Sequence, residues 1–218
     1  MRHSRAVILL GITTLALALA SCSDSQAGTP RPERDTGEST TTSEEVPTTS
    51  SGSGEDDLPA NGAPKVENPI DVAKFEQQPC LALTDDQVRQ AGLVPPGEQG
   101  EGAFGPSCNW RNRESGANIN LQVGDPGRRG LTAVYAGNEA GKFDLWIKLE
   151  PIEGFPAVVA DIRDLRDSGE CPITVGTSDE VTFSLSAKLS DAKIGKTDPC
   201  DAAVQVTALV LQTMKANS

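Results

Sequence analysis

The chain has 218 residues with 19 Lys+Arg against 31 Asp+Glu, a formal net charge of −12. That balance excludes nucleic acid as a partner, because affinity for a phosphate backbone comes largely from Lys and Arg. The one histidine is His3, so a product that loses its N-terminus has neither Ser-His-Asp nor Cys-His catalysis and no imidazole metal ligand.

Arg2, His3 and Arg5 precede an almost continuously apolar run from Ala6 to Ala20. About fifteen residues suit a signal-peptide h-region, whereas a bilayer span takes about 20. Leu19-Ala20-Ser21-Cys22 then matches a lipobox: a branched apolar residue, two small ones and a cysteine. The pattern predicts removal of residues 1–21 and a diacylglycerol on the Cys22 thiol. Two or three acyl chains suffice for stable anchoring. After that cut 17 basic and 31 acidic side chains remain, or −14. The expected location is the extracytoplasmic face of the cell membrane, with acyl chains holding on a body that anionic headgroups repel.

Residues 22–68 contain no Phe, Tyr or Trp and are dense in Ser, Thr, Pro, Gly, Glu and Asp. Such a stretch buries too little apolar area to offset chain entropy and reads as a disordered tether. Its root-mean-square span would be roughly 35–40 Å. The Ser/Thr runs also offer acceptors for O-linked sugar. All eight aromatic residues lie between Phe75 and Phe183, and residues 69–218 have the size of one domain with a full core.

Within that domain, residues 68–75 suggest a short helix. Thr84-Asp-Asp-Gln87 is a capping box, and the helix it opens stops at Gly92 and Pro95. Cys108–Arg111 and Asn118–Val123 alternate as a hairpin. Leu131–Ala140 suits a helix. Leu145–Leu149, Ala157–Ile162, Cys171–Val175 and Val181–Ala187 read as strands, with turns at 163–170 and 176–180. Asp198 and Pro199 supply an N-cap and N1 proline to a last helix, residues 200–215. The expected fold class is α+β: an antiparallel sheet of about five strands in largely meander order, packed on one face by N-terminal and C-terminal helices.

Cys80, Cys108, Cys171 and Cys200 remain after Cys22. An even number in an exported domain reads as two disulfides. Three pairings are open, and the element order favours Cys80–Cys200 with Cys108–Cys171. A zinc site is the weaker reading, because no two cysteines have the short spacing that zinc sites use.

The lipobox and tether are followed in order by Gln78-Pro79-Cys80-Leu-Ala-Leu-Thr84, Cys108-Asn-Trp110, Gly154-Phe-Pro-Ala-Val158, Cys171 and Asp198-Pro199-Cys200. This succession resembles the actinobacterial lipoprotein family catalogued as domain of unknown function 3558. The resemblance covers residues 69–218 and the layout upstream. It implies an envelope lipoprotein of Gram-positive, high-GC bacteria, and it brings no activity or catalytic residues.

Other clusters have simpler readings. Asp161, Asp164 and Asp167 alternate with Arg163 and Arg166, as a solvated turn does; calcium loops concentrate uncompensated carboxylates. Glu150 and Glu153 match a glycosidase pair only as any two acids would. Trp110 and Trp146 are core or sheet-face residues before they are ligand platforms. The Gly124–Gly130 loop carries the adjacent Arg128 and Arg129 and is the candidate contact for an anionic ligand, although it lacks the Lys-Ser/Thr of a P-loop. No catalytic residue, metal ligand or cofactor is singled out. The sequence thus points to a monomeric, non-catalytic binding or accessory module for an envelope protein, lipid or glycan. The alternative is a histidine-independent hydrolase, disfavoured by the lack of a nucleophile motif such as G-x-S-x-G.

Overall fold

A computed structural model describes residues 57–218. Cys22 and the tether as far as residue 56 lie outside the described residues. Four α-helices and seven strands follow in the order α1 (Ala73–Gln77), α2 (Asp85–Gln90), β1 (Val94–Gly102), β2 (Gly105–Arg111), β3 (Asn118–Val123), α3 (Gly130–Glu139), β4 (Leu145–Lys148), β5 (Ala157–Asp161), β6 (Glu170–Gly176), β7 (Thr182–Lys188) and α4 (Pro199–Lys215). No described helix is long and apolar enough to cross a membrane.

All strands join one antiparallel sheet in the order β1-β2-β3-β7-β6-β5-β4. Two meanders, β1–β3 and β4–β7, therefore meet along β3 and β7. The count is seven where the sequence suggested about five. The least legible strand is β1, Val-Pro-Pro-Gly-Glu-Gln-Gly-Glu-Gly, whose prolines and glycines look like a helix stop. An edge position tolerates them, because one side of an edge strand needs no ladder hydrogen bonds. Pro95, Pro96 and Gly97 bulge opposite the single residue Trp110. A Cβ on Gly97 would sit 2.5 Å from Cys108 Sγ and from Trp110 Nε1, so the bulge needs glycine to cover that indole.

The inner face is the core. Cys108, Trp110, Ile119, Leu121, Phe183, Leu185, Cys171, Ile173 and Val159 are buried there, under α4 and the α1–α2 segment. Both predicted helix starts hold. Thr84 caps α2 with the reciprocal Gln87 bond, and Asp198 caps α4 ahead of Pro199. Helices cover both faces, however. Leu131 and Tyr135 of α3 pack on Val158, with Trp146 and Ala160 beside them, on the outer side of the sheet.

The pairing of cysteines differs from expectation. Cys80 joins Cys108, and Cys171 joins Cys200, with Cα–Cα distances of 5.0 and 5.1 Å. Sheet order dictates this. β3 and β7 lie between β2 and β6, which puts Cys108 at least about 14 Å from Cys171 at about 4.8 Å per strand. A disulfide bridges Cα atoms only within about 4.4–6.8 Å. Each bond thus staples one helical segment to the strand beneath it. With sequence separations of 28 and 29, each contributes about 3–4 kcal/mol in the loop-entropy treatment.

Packing onto the domain also starts before residue 69. Val66 is 4% exposed within the core, and its N–H donates to Asp179 Oδ1 at 2.8 Å. Ala60 N–H donates to Thr132 Oγ1 of α3 at 2.9 Å. A segment without aromatic side chains still attaches when its backbone donors find acceptors on the domain.

Candidate binding face

The Gly124–Gly130 loop is built around Asp125, whose carboxylate accepts the N–H groups of Gly127 and Arg129, both at 2.9 Å. Arg128 takes φ 45° and its guanidinium reaches Glu76 Oε1 at 3.5 Å and Glu180 Oε2 at 3.8 Å. It bridges α1 to the β6–β7 turn and is balanced by two acids. Arg129 makes no ion pair among the described residues. The adjacent arginines are therefore split between two roles and do not form one doubly charged anion cradle.

The sheet itself offers a larger surface. Because side chains alternate along a strand, the inward rows of Ile119, Leu121, Val123 and of Phe183, Leu185, Ala187 leave a second set pointing out. On β2 and β3 that set is Asn109, Asn118, Asn120 and Gln122, with Ser107 outward in register but buried; on β7 and β6 it is Ser184, Ser186, Pro172 and Thr174. Register aligns them into rungs. Asn109 faces Asn120, which faces Ser186; Ser107 faces Gln122, which faces Ser184 and then Thr174. Helix α3 covers β4, β5 and part of β6, and no other described element covers the other half of the outer face.

Several of these groups hold one another. Asn109 Nδ2 donates to Asn118 Oδ1 at 3.2 Å, and Arg111 Nε donates to Asn109 Oδ1. Thr174 and Ser184 hydroxyls are 3.1 Å apart. Gln122 Nε2 donates to the Gly105 carbonyl at 3.3 Å, lying over Gly102, where a Cβ would come within 2.7 Å of its Oε1. Asn120 and Ser186 have no side-chain partner among the described residues. Lys188 pairs with Glu170 at 3.4 Å, and Arg111, at the end of its rung, has no carboxylate partner among the described residues, so the centre of the face carries amides and hydroxyls and the charges stand at its margin.

A groove of about 280 Å³ runs between this face and α3. Its walls are Phe104, from the β1–β2 turn, and Ala133, Val134 and Phe143; Thr174, Thr182 and Ser184 form the floor. Phe104 is 65% exposed. Phe143 is steadied by stacking on Trp146, ring centroids 6.1 Å apart, and Trp146 meets Tyr135 edge-on at 5.0 Å. Burial pushes the Tyr135 hydroxyl pKa up.

The remaining candidates are structural. Trp110 is 1% exposed in the core, and Trp146 supports the groove wall. Arg166 donates to both Asp164 oxygens, at 2.9 and 2.6 Å, and those hydrogen bonds hold the carboxyl down to about 2. Glu153 accepts from Gln212 at 2.9 Å and pairs with Lys215 at 3.4 Å, and the Gln212 bond leads in lowering its pKa. That pins the β4–β5 loop to α4. No group of three or more acidic, Cys or His side chains among the described residues is arranged to hold a metal ion.

Sequence reading located the hairpin Cys108–Val123 and passed over its outward side chains and Phe104. The signal was there in Asn-Ile-Asn-Leu-Gln-Val, whose outward positions are all amides. The family model described as "Protein of unknown function (DUF3558)" matches residues 17–213. No curated protein and no solved structure matches the chain.

Proposed function

The chain belongs to this DUF3558 family, whose description assigns no activity, and we propose that it is a lipid-anchored, extracytoplasmic binding module that meets its ligand on the open half of its outer sheet face. One observation carries the reading: a row of amides and hydroxyls, covered by no other described element, lies on a sheet whose other face is packed under helices. A surface that must only keep the chain in solution needs no such row, since charge does that better. The lipobox at Cys22 supports the anchor, and two disulfides suit an oxidising compartment.

The test is native mass spectrometry of protein released from its own envelope. The unaltered chain should retain diacylglycerol at Cys22 and a bound ligand. Asn120→Arg with Ser186→Arg should lose the ligand and keep the lipid, and Cys22→Ala should lose the lipid. Retention of ligand by the double-Arg variant, or substrate turnover abolished by one Ser or Asp substitution, would overturn the proposal.

A further inference from the structure

We infer that the ligand of this face is a neutral oligosaccharide, an inference that rests on the binding reading above and narrows it. The rungs present Asn109, Asn120 and Gln122 beside Ser184, Ser186 and Thr174. Each amide and each hydroxyl both donates and accepts, as each sugar hydroxyl does. Neighbouring strands are about 4.8 Å apart, so the donors and acceptors recur at regular intervals across four strands. Asn120 and Ser186 lie mid-face without side-chain hydrogen-bond partners among the described residues, available to a ligand.

Other ligand classes fit less well. A polyanionic ligand calls for several free cations grouped together, yet Lys188 is paired with Glu170 and the exposed Arg111, hydrogen-bonded to the Asn109 amide, stands alone at the end of its rung. A lipid chain requires an enclosed apolar cavity, and the groove is about 280 Å³ with a hydroxyl floor. A protein partner's interface is organised around a desolvated core rich in aromatic and apolar residues. Here the centre is amide and hydroxyl, and the exposed aromatic ring stands at the margin.

That margin completes the site. Phe104 and Phe143 wall the groove where the Gln122–Ser184–Thr174 rung ends. The negative face of an aromatic ring attracts the C–H groups on the apolar side of a sugar ring. One sugar ring would lodge in the groove while the following rings lie along the rungs. A face whose centre holds no charged side chain also avoids leaving a buried ion when sugar displaces water.

Isothermal titration calorimetry of the full chain in detergent tests this, with chitohexaose, mannohexaose, cellohexaose and arabinohexaose as neutral probes. Polygalacturonate and phosphatidylglycerol vesicles serve as the anionic ones. At least one neutral oligosaccharide should bind, and Asn120→Ala and Phe104→Ala should each weaken it about tenfold, the scale of a lost hydrogen bond or ring contact. Arg129→Ala should leave it unchanged. Affinity for a neutral oligosaccharide that both Asn120→Ala and Phe104→Ala leave intact would overturn the inference. So would binding confined to an anionic probe, or no binding by any neutral probe. If, in those cases, the envelope ligand is still lost from the double-Arg variant, the binding face stands and the sugar assignment alone falls.

Discussion

On β7, Phe183, Leu185 and Ala187 point into the helix-covered core, whereas Ser184, Ser186 and Lys188 point out onto the half of the sheet that no other described element covers. One backbone thus carries two surfaces under different constraints. The inner one is held by close packing, two disulfides and helix caps. The outer one is free of packing demands, so its composition is available for recognition. Adjacent positions should therefore respond in opposite ways. Phe183→Ala should cost about 3–5 kcal/mol, the usual penalty for emptying a buried aromatic site. Ser184→Ala should stay within about 0.5 kcal/mol, as surface changes do. Urea denaturation of the two variants measures both, and a costly Ser184→Ala would mean that the outer face is part of the stability core.

A smaller effect tests how firmly the helices are fixed on the inner side. Thr84 Oγ1 accepts the Gln87 N–H at 3.3 Å, and Gln87 Oε1 accepts the Thr84 N–H at 2.8 Å. The same Gln87 receives the Thr213 hydroxyl at 2.8 Å and donates to the Leu209 carbonyl at 3.1 Å. The cap of α2 is thereby tied to α4. Thr84→Ala should cost about 1 kcal/mol, as loss of a Ser/Thr cap does. A loss no larger than that of Ser184→Ala would show that α2 is held by packing alone.

Local signals were legible and long-range ones were not. The capping box, the Asp198-Pro199 helix start and the alternation of Asn118–Val123 each lie within a few residues, and each is found where the sequence puts it. The disulfide pairing depends on which strands come between β2 and β6, which no spacing along the chain encodes. Arg128 reads as a free cation until the fold brings Glu76 and Glu180 to it from both sides in sequence. Strand β1 was hidden because edge position, a tertiary property, is what makes its prolines and glycines acceptable. At the binding face the pattern of amides was visible, but its exposure depended on how far α3 extends across the sheet.

The smallest predicted effect concerns one chemical group in two settings. Thr207 on α4 is fully buried on the inner side, and its hydroxyl oxygen has no hydrogen-bond partner among the described residues. The Ser186 hydroxyl on the outer face reaches solvent. A buried hydroxyl without a partner keeps its desolvation cost, of order 1–3 kcal/mol by mutational measures. Thr207→Val keeps the branched shape, removes the oxygen and changes helix propensity little. Stability should then be unchanged or raised by about 1 kcal/mol, while Ser186→Ala should move it by less than about 0.5 kcal/mol. The sign is what separates the two settings: water already satisfies Ser186, so deleting its hydroxyl relieves nothing, whereas deleting that of Thr207 removes a standing penalty. A Thr207→Val variant that loses about 1 kcal/mol would show that the hydroxyl is satisfied inside the core and that the inner face tolerates polar groups as the outer one does.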